Sequence, residues 1–299
     1  MSRKILVIGS SNTDMTIKGK KLPAPGETVN GGFFYMGPGG KGANQAVAAK
    51  RLGGDVSFIC KVGNDIFGDS ALNGYEKEGI DISHAMRSTK ASGTALILVD
   101  ENGENCISVA SGANGDITPE DIDSIADVIR GAGFLILQLE IPVESVLRAA
   151  KIAHEAGVYV LLNPAPACKL PKELFRYVSL MTPNQSEASM LSGCEVNDEA
   201  SLKEAVKVLQ GYGVQNLVVT LGCKGSLVFA DGKSELIPSI KVNAVDATAA
   251  GDTFSGALCV GLSEGLSLQD AARFATKAAA ITVQRIGAQD SIPTRREIS

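Results

Sequence analysis

Short, uninterrupted apolar runs recur along this chain, separated by segments whose apolar residues repeat at helical spacing. Residues 4–9 (KILVIG) show no polar alternation and end in glycine, the pattern of a strand buried on both faces. Residues 56–62 (VSFICKV), 134–139 and 158–162 repeat that pattern, with shorter runs at 180–182 and 217–220. The intervening segments 43–52, 65–78, 118–130, 142–156, 187–192, 199–209 and 253–262 have helical composition, several of them closed by glycine. Thr118 is placed to cap its helix, with Pro119 at the first helical position. Strand alternating with helix predicts the α/β class, a parallel sheet covered by helices on both faces.

Two stretches break the alternation. Residues 13–36 carry no helical signal and contain Pro23, Pro25, Gly26, Gly31 and Gly32, while 94–110 read as two strands around Asp100-Glu-Asn-Gly103, a hairpin. These pieces are expected to associate as a small antiparallel sheet. That makes residues 13–41 and 93–111 a lid grown out of a main domain of 1–12, 42–92 and 112–299.

Composition narrows the function. The 299 residues are 44% hydrophobic and 20% charged, a globular profile with room for one large domain and an appendage. Net charge is −5, no Lys/Arg block occurs, tryptophan is absent and aromatics are 5%, so neither nucleic acid nor an anionic membrane surface is an expected partner. No apolar run approaches the ~18 residues of a spanning helix, and the stretch after Met1-Ser-Arg-Lys4 is too short for an export signal. Six cysteines are spread singly with no CxxC, as expected of reduced thiols in a cytoplasmic protein.

The chemistry gathers in two places. Asp246-Ala-Thr-Ala-Ala-Gly251-Asp252-Thr-Phe254 puts small residues and a glycine directly before a helix. Free amides at a helix start and the positive end of its dipole make an anion site, and Asp252 at its mouth would take the proton of an attacking hydroxyl or serve as an ordinary N-cap. Gly37-Pro-Gly39-Gly40-Lys41-Gly42-Ala43-Asn44-Gln45 is a Gly-rich loop opening a helix; it matches GxGxxG, but no clean strand precedes it and the Walker spacing is absent. Close backbone approach to a small polyol suits it better, with Lys41 and Asn44 as donors. Asp14 and Glu140 fall at the carboxyl ends of strands, where ligands of open α/β sheets bind. Asn184 and Glu187 sit three apart at a strand-to-helix junction, suited either to water bound on Mg²⁺ or to capping, and Thr220-Leu-Gly-Cys-Lys-Gly225 follows a strand as a nucleotide cover or a plain connection. Only two histidines occur, His84 and His154, and the GxSxG match at 261–265 lies at a helix end, where no nucleophile elbow forms.

In this order, Gly39-Gly-Lys-Gly-Ala-Asn-Gln-Ala-Val-Ala48, Gln138-Leu-Glu140, Asn163-Pro-Ala-Pro-Ala167, Thr182-Pro-Asn184 with Glu187, Thr220-Leu-Gly222, residues 246–254 and Gly287-Ala-Gln289 resemble the ribokinase family of small-molecule carbohydrate kinases (the PfkB superfamily) across essentially the whole chain. The resemblance implies a Rossmann-like αβα sandwich with a β-sheet lid, and a homodimer in which two lids clasp. It implies transfer of the ATP γ-phosphoryl group to the 5-hydroxyl of D-ribose, with Asp252 as base and the amides of Ala249, Ala250, Gly251 and Asp252 as the anion hole. Asp14, Gly40, Lys41, Asn44 and Glu140 would bind the sugar, and Asn184 and Glu187 would act near the phosphates and Mg²⁺. Thr220, Leu221, Gly222, Cys223, Lys224, Gly225 and Thr276 would line the nucleotide site. Asp246, Thr248, Thr282, Arg285, Gly287 and Ser291 would surround a monovalent cation, usually potassium. Ala247 and Thr276 depart from the family pattern, which usually has threonine and then histidine or asparagine there. A kinase for deoxyribose, fructose or pseudouridine, an NAD-dependent oxidoreductase and a non-catalytic sugar sensor are the alternatives.

Overall fold

The computed structural model describes residues 3–298, so residues 1, 2 and 299 of the expected main domain lie outside the described residues. Its larger sheet has eight strands in the order Lys233–Ile237, Ser226–Ala230, Asn216–Thr220, Leu180–Met181, Tyr159–Leu162, Phe134–Leu137, Ile5–Ile8, Val56–Ile59. The six from Asn216–Thr220 to Val56–Ile59 run parallel, and the other two extend the sheet as antiparallel neighbours.

Ile5–Ile8 shows why the run is uniformly apolar: all four side chains are buried. Ile5 and Val7 join one core with the helices Lys41–Arg51, Ala250–Ser263 and Leu268–Thr282. Leu6 and Ile8 join the other, against Val143–Glu155 and Glu199–Tyr212. A strand with a core on each face has no position for a polar residue, and each such side chain contributes roughly 1.5–3 kcal/mol by burial. Glycine sets how closely the layers approach. A Cβ on Gly42 would lie 2.5 Å from Ser10 N, and one on Gly256 would lie 2.8 Å from Gln45 O, so the helix Lys41–Arg51 meets both the segment just after the first strand and the helix Ala250–Ser263 nearly backbone to backbone.

A second sheet has the order Phe33–Gly39, Asn12–Lys18, Gly93–Val99, Asn105–Ala110. Its two outer pairs are antiparallel, as expected, and the hairpin at Asp100–Gly103 forms. The central pair is parallel, because Asn12–Lys18 and Gly93–Val99 both leave the main body in the same direction.

Other sequence expectations need correcting. Residues 56–62 do not form one strand: Val56–Ile59 belongs to the large sheet, while Lys61–Gly63 pairs with Met86–Ser88 after Cys60, whose carbonyl accepts from Met86. The segment 118–130 is two helices, Pro119–Ser124 and Ala126–Arg130, broken where Ile125 leaves helical geometry at φ −112° and ψ 15°. Thr118 caps the first through a reciprocal bond with Asp121. Ser226–Ala230, Lys233–Ile237 and Leu268–Thr282 carried no assignment.

Candidate active site

The chain leaves Ile5–Ile8 toward Val56–Ile59 on one side and later fills Phe134–Leu137 on the other. That reversal leaves a crevice at the carboxyl ends of the strands. A cleft of about 950 Å³ opens there, roofed by the small sheet. Its walls bring together Asp14, Gly40, Lys41, Asn44, Glu140, Asn184, Glu187, Thr220, Asp246, Thr248, Ala249, Gly251, Asp252 and Gly287.

On one wall the Gly-rich segment turns from strand to helix. Gly39 ends the strand Phe33–Gly39 of the small sheet, so the GxGxxG match lies outside the parallel-strand setting that dinucleotide binding requires. Gly40 has φ 90°, and a Cβ there would press on Asn12 N at 2.8 Å. The helix begins at Lys41, two residues earlier than expected. Glu140 secures that start: its Oε2 accepts from Lys41 N (2.9 Å) and Ser10 Oγ (2.6 Å).

Opposite stands the helix Ala250–Ser263. Ala249 precedes it in the left-handed region, φ 58° and ψ 7°, which costs a non-glycine residue roughly 1–2 kcal/mol. Asp252 does not cap this helix. It lies in the first turn, buried, and its Oδ2 and Oδ1 accept from Asn44 Nδ2 (3.0 Å) and Gln45 Nε2 (2.9 Å). The amides of Gly251 and Asp252 belong to the first turn, where no carbonyl lies one turn back. The Ala250 N–H is instead given to Ala247 O (3.2 Å), and Ala250 lies off the cleft wall.

The wall is strongly acidic, and proton affinities record it. Burial, then the Glu140 and Asp252 carboxylates, push Asp14 up to about 6 against the pull of Lys41. The Asp252 carboxylate first, then Glu140, Glu187 and Asp14, hold Lys41 above its ordinary value despite burial. Burial raises Glu187, with Asp252 adding and the Asn184 amide and Lys41 opposing. Asn184 and Glu187 do form a reciprocal cap at the helix Gln185–Ser192, and both also line the cleft.

The remaining assigned residues lie around this core. Leu221, Gly222, Cys223, Lys224 and Gly225 form a turn beyond Thr220, off the cleft wall. Thr276 also lies off the wall, its hydroxyl bonded to Ala272 O (2.8 Å). Thr282 is buried behind the start of the helix Ala250–Ser263 and bonds Thr253 Oγ1 (3.1 Å). Arg285 pairs through its side chain with Glu297, and the buried Ser291 hydroxyl bonds Ala288 O (2.6 Å). Asp246 ties the surrounding loops together: its Oδ1 accepts from Thr248 N (2.9 Å) and Oγ1 (2.6 Å), and its Oδ2 from Gly287 N (2.9 Å). The backbone adds Val245 N to Val283 O at 2.7 Å. Oxygen-rich loops so joined fit a hard monovalent cation, and among the described residues no cluster of three His, Cys, Asp or Glu side chains suits a metal ion.

One relay had no assigned role. Gln138 Nε2 donates to Gln45 Oε1 (2.7 Å), and Gln45 Nε2 donates to both Asn163 Oδ1 (3.0 Å) and Asp252 Oδ1. Gln45, fully buried beside Ala46, Val47, Ala48 and Ala49, was the available signal. Gln45→Leu is expected to free the Asp252 carboxylate to rotate, lowering turnover about tenfold or more with the fold kept; steady-state kinetics beside a melting curve check this.

The sequence pattern of pfkB family carbohydrate kinases matches residues 2–295. The chain belongs to that family. A ribokinase of Haemophilus influenzae is 44% identical over 298 residues, 99% of this chain and 97% of that protein. The crystal structure of a Thermotoga maritima ribokinase, 39% identical, superposes with a TM-score of 0.91 over 99% of this chain and 98% of that one. An Arabidopsis thaliana ribokinase complexed with ribose and ATP, 32% identical, gives 0.91 over 100% and 98%. Membership of that family makes the chain an alcohol-acceptor phosphotransferase that uses ATP.

Proposed function

We propose that the protein transfers the γ-phosphoryl group of ATP to the 5-hydroxyl of D-ribose. The observation that carries the reading is the place of Asp252. It lies between a wall of hydroxyl-binding groups and a helix start whose amides lack intrahelical acceptors. Asp14, Glu140, Lys41, Asn44 and the Gly40 backbone hold the sugar. Asn44 Oδ1 is buried without a partner in the free protein, and a sugar hydroxyl would supply the missing donor.

As the sugar oxygen approaches Pγ, its O–H bond breaks and the proton passes to the Asp252 carboxylate. The new O–P bond forms as the bond from Pγ to the β-phosphate oxygen breaks, and ADP departs with that electron pair. The amides of Gly251 and Asp252, with Ala249 beside them, face the negative charge on the migrating group. The small sheet acts as the lid that keeps water from competing with the sugar. Four carboxylates and one lysine would repel a bare triphosphate, so Mg²⁺, supplying charge neutralisation when bound, would be held through water by Asn184 and Glu187. Carbonyl and side-chain oxygens of residues 246–248 and 282–291 would hold potassium, and the 220–225 turn with Thr276 would border the nucleotide. We place the enzyme in the cytoplasm, where ATP is available. A panel of sugars and nucleosides assayed with ATP is expected to give the highest kcat/KM for ribose, with activity rising on addition of K⁺. A higher value for deoxyribose or fructose would reassign the substrate.

The lid also offers a surface for a second copy. Ile17, Phe34, Met36 and Leu96 share one face of the small sheet and are about half exposed, a patch larger than scattered apolar residues explain. Sedimentation is expected to show a dimer that Phe34→Glu converts to monomer; a wild-type monomer would remove the lid-to-lid contact.

A further inference from the structure

Three crossings between the main body and the small sheet meet at one side chain. Asn114 lies in the short turn Gly112–Asp116 that receives the chain from the strand Asn105–Ala110. It is 1% exposed. Its Oδ1 accepts from Ser11 N (2.9 Å), and its Nδ2 donates to Ser11 O (3.2 Å) and to Asn12 Oδ1 (2.7 Å). One backbone step away, Ala113 N donates to Ala91 O (2.8 Å), which fixes the second outgoing strand. The space is full: a Cβ on Gly93 would lie 2.1 Å from Asn114 Nδ2 and 2.3 Å from Asn12 Oδ1. Ser11 is held on its other side by Tyr75, Oγ to Oη 2.6 Å.

Asn12 lines the cleft two residues before Asp14 on the same strand, so both point to the same side of the sheet. With its Oδ1 committed to Asn114, the end of Asn12 left for a ligand is the Nδ2 donor. A reversed amide would set an acceptor beside the carboxylates of Asp14 and Glu140, where a sugar hydroxyl already has acceptors in excess. We propose that Asn114 is a positioning residue for the sugar: it fixes which end of Asn12 faces the cleft and where the strand carrying Asp14 begins. The inference rests on the sugar-kinase reading above and adds to it a residue that touches no substrate.

Calorimetry with ribose and, separately, with a non-hydrolysable ATP analogue tests it. Asn114→Ala and Asn114→Asp are expected to weaken ribose binding about tenfold or more, the loss of a buried hydrogen bond, with the ATP analogue unaffected within about twofold. Asn114→Asp keeps the shape and the acceptor for Ser11 N–H but turns the donor into an acceptor facing Ser11 O and Asn12 Oδ1, which favours the reversed Asn12 amide. In an Asn12→Ala background, Asn114→Ala should add less than about twofold to the loss. Unchanged ribose affinity in the single variants, equal weakening toward both ligands, full additivity with Asn12→Ala, or failure of both variants to fold would each overturn the proposal. Absence of ribose binding by the wild-type protein would instead count against the ribose reading, and the same comparison then runs with whichever sugar binds.

Discussion

Asp252→Asn is expected to leave the fold nearly intact and to lower kcat by about 10²–10⁴-fold, the usual contribution of a general base. Stability should survive because the site can rearrange locally. Asp252 accepts from the side-chain amides of Asn44 and Gln45, and an asparagine there would turn one donor toward one of them. Asn44 carries a buried Oδ1 with no partner, so rotation of its amide converts the clash into a hydrogen bond. What no rearrangement restores is a group able to take the sugar proton. Single-turnover kinetics beside a melting curve separate the two effects. A variant that folds and keeps more than about a tenth of the wild-type rate would show that the proton leaves by another route.

The residues legible in the sequence were those whose job is local. The run 4–9 announces a strand with a core on each face, because that burial forbids any polar position. The Gly-rich turn and the helix start at 249–252 are visible because their backbone demands small residues. Asp252 itself stayed ambiguous in sequence, base or cap, since both readings use a carboxylate near a helix start. Only packing decided that it turns toward Asn44 and Gln45, more than two hundred residues away. The amide relay from Gln138 through Gln45 to Asn163 was hidden for the same reason, and so was the Asn114 clamp. The strands Ser226–Ala230 and Lys233–Ile237 escaped because they join the sheet edge as an antiparallel hairpin outside the strand–helix rhythm. Thr276 shows the converse: its place by family pattern is clear, while its hydroxyl bonds its own helix and by itself signals no ligand.

Asp14 should reveal a trade between binding and stability. Its carboxyl is raised from 3.8 to about 6, first by burial and then by the charges of Glu140 and Asp252, so the folded protein resists its ionisation. A folded-state value above the unfolded one is a penalty that is complete above about pH 6. It shrinks as pH falls toward 3.8, where the folded form takes up the proton first. At 1.36 kcal/mol per unit, and reduced for partial solvent screening, the penalty at neutral pH is on the order of 1–3 kcal/mol. Asp14→Asn is therefore expected to melt a few degrees higher than wild type at pH 7.5, with the advantage fading below about pH 6 and gone near pH 4. The same change removes the charged acceptor proposed for the sugar hydroxyls, and kcat/KM for ribose should fall about 10²-fold. Wild-type ribose affinity should likewise weaken as pH drops through about 6, where Asp14 gains its proton. Melting curves of the two proteins across pH 4–8 decide the matter. A variant that melts no higher than wild type at pH 7.5 would mean that Asp14 sits in a solvated, relaxed carboxylate environment, and the crowding of like charges around Lys41 would then have to be redrawn.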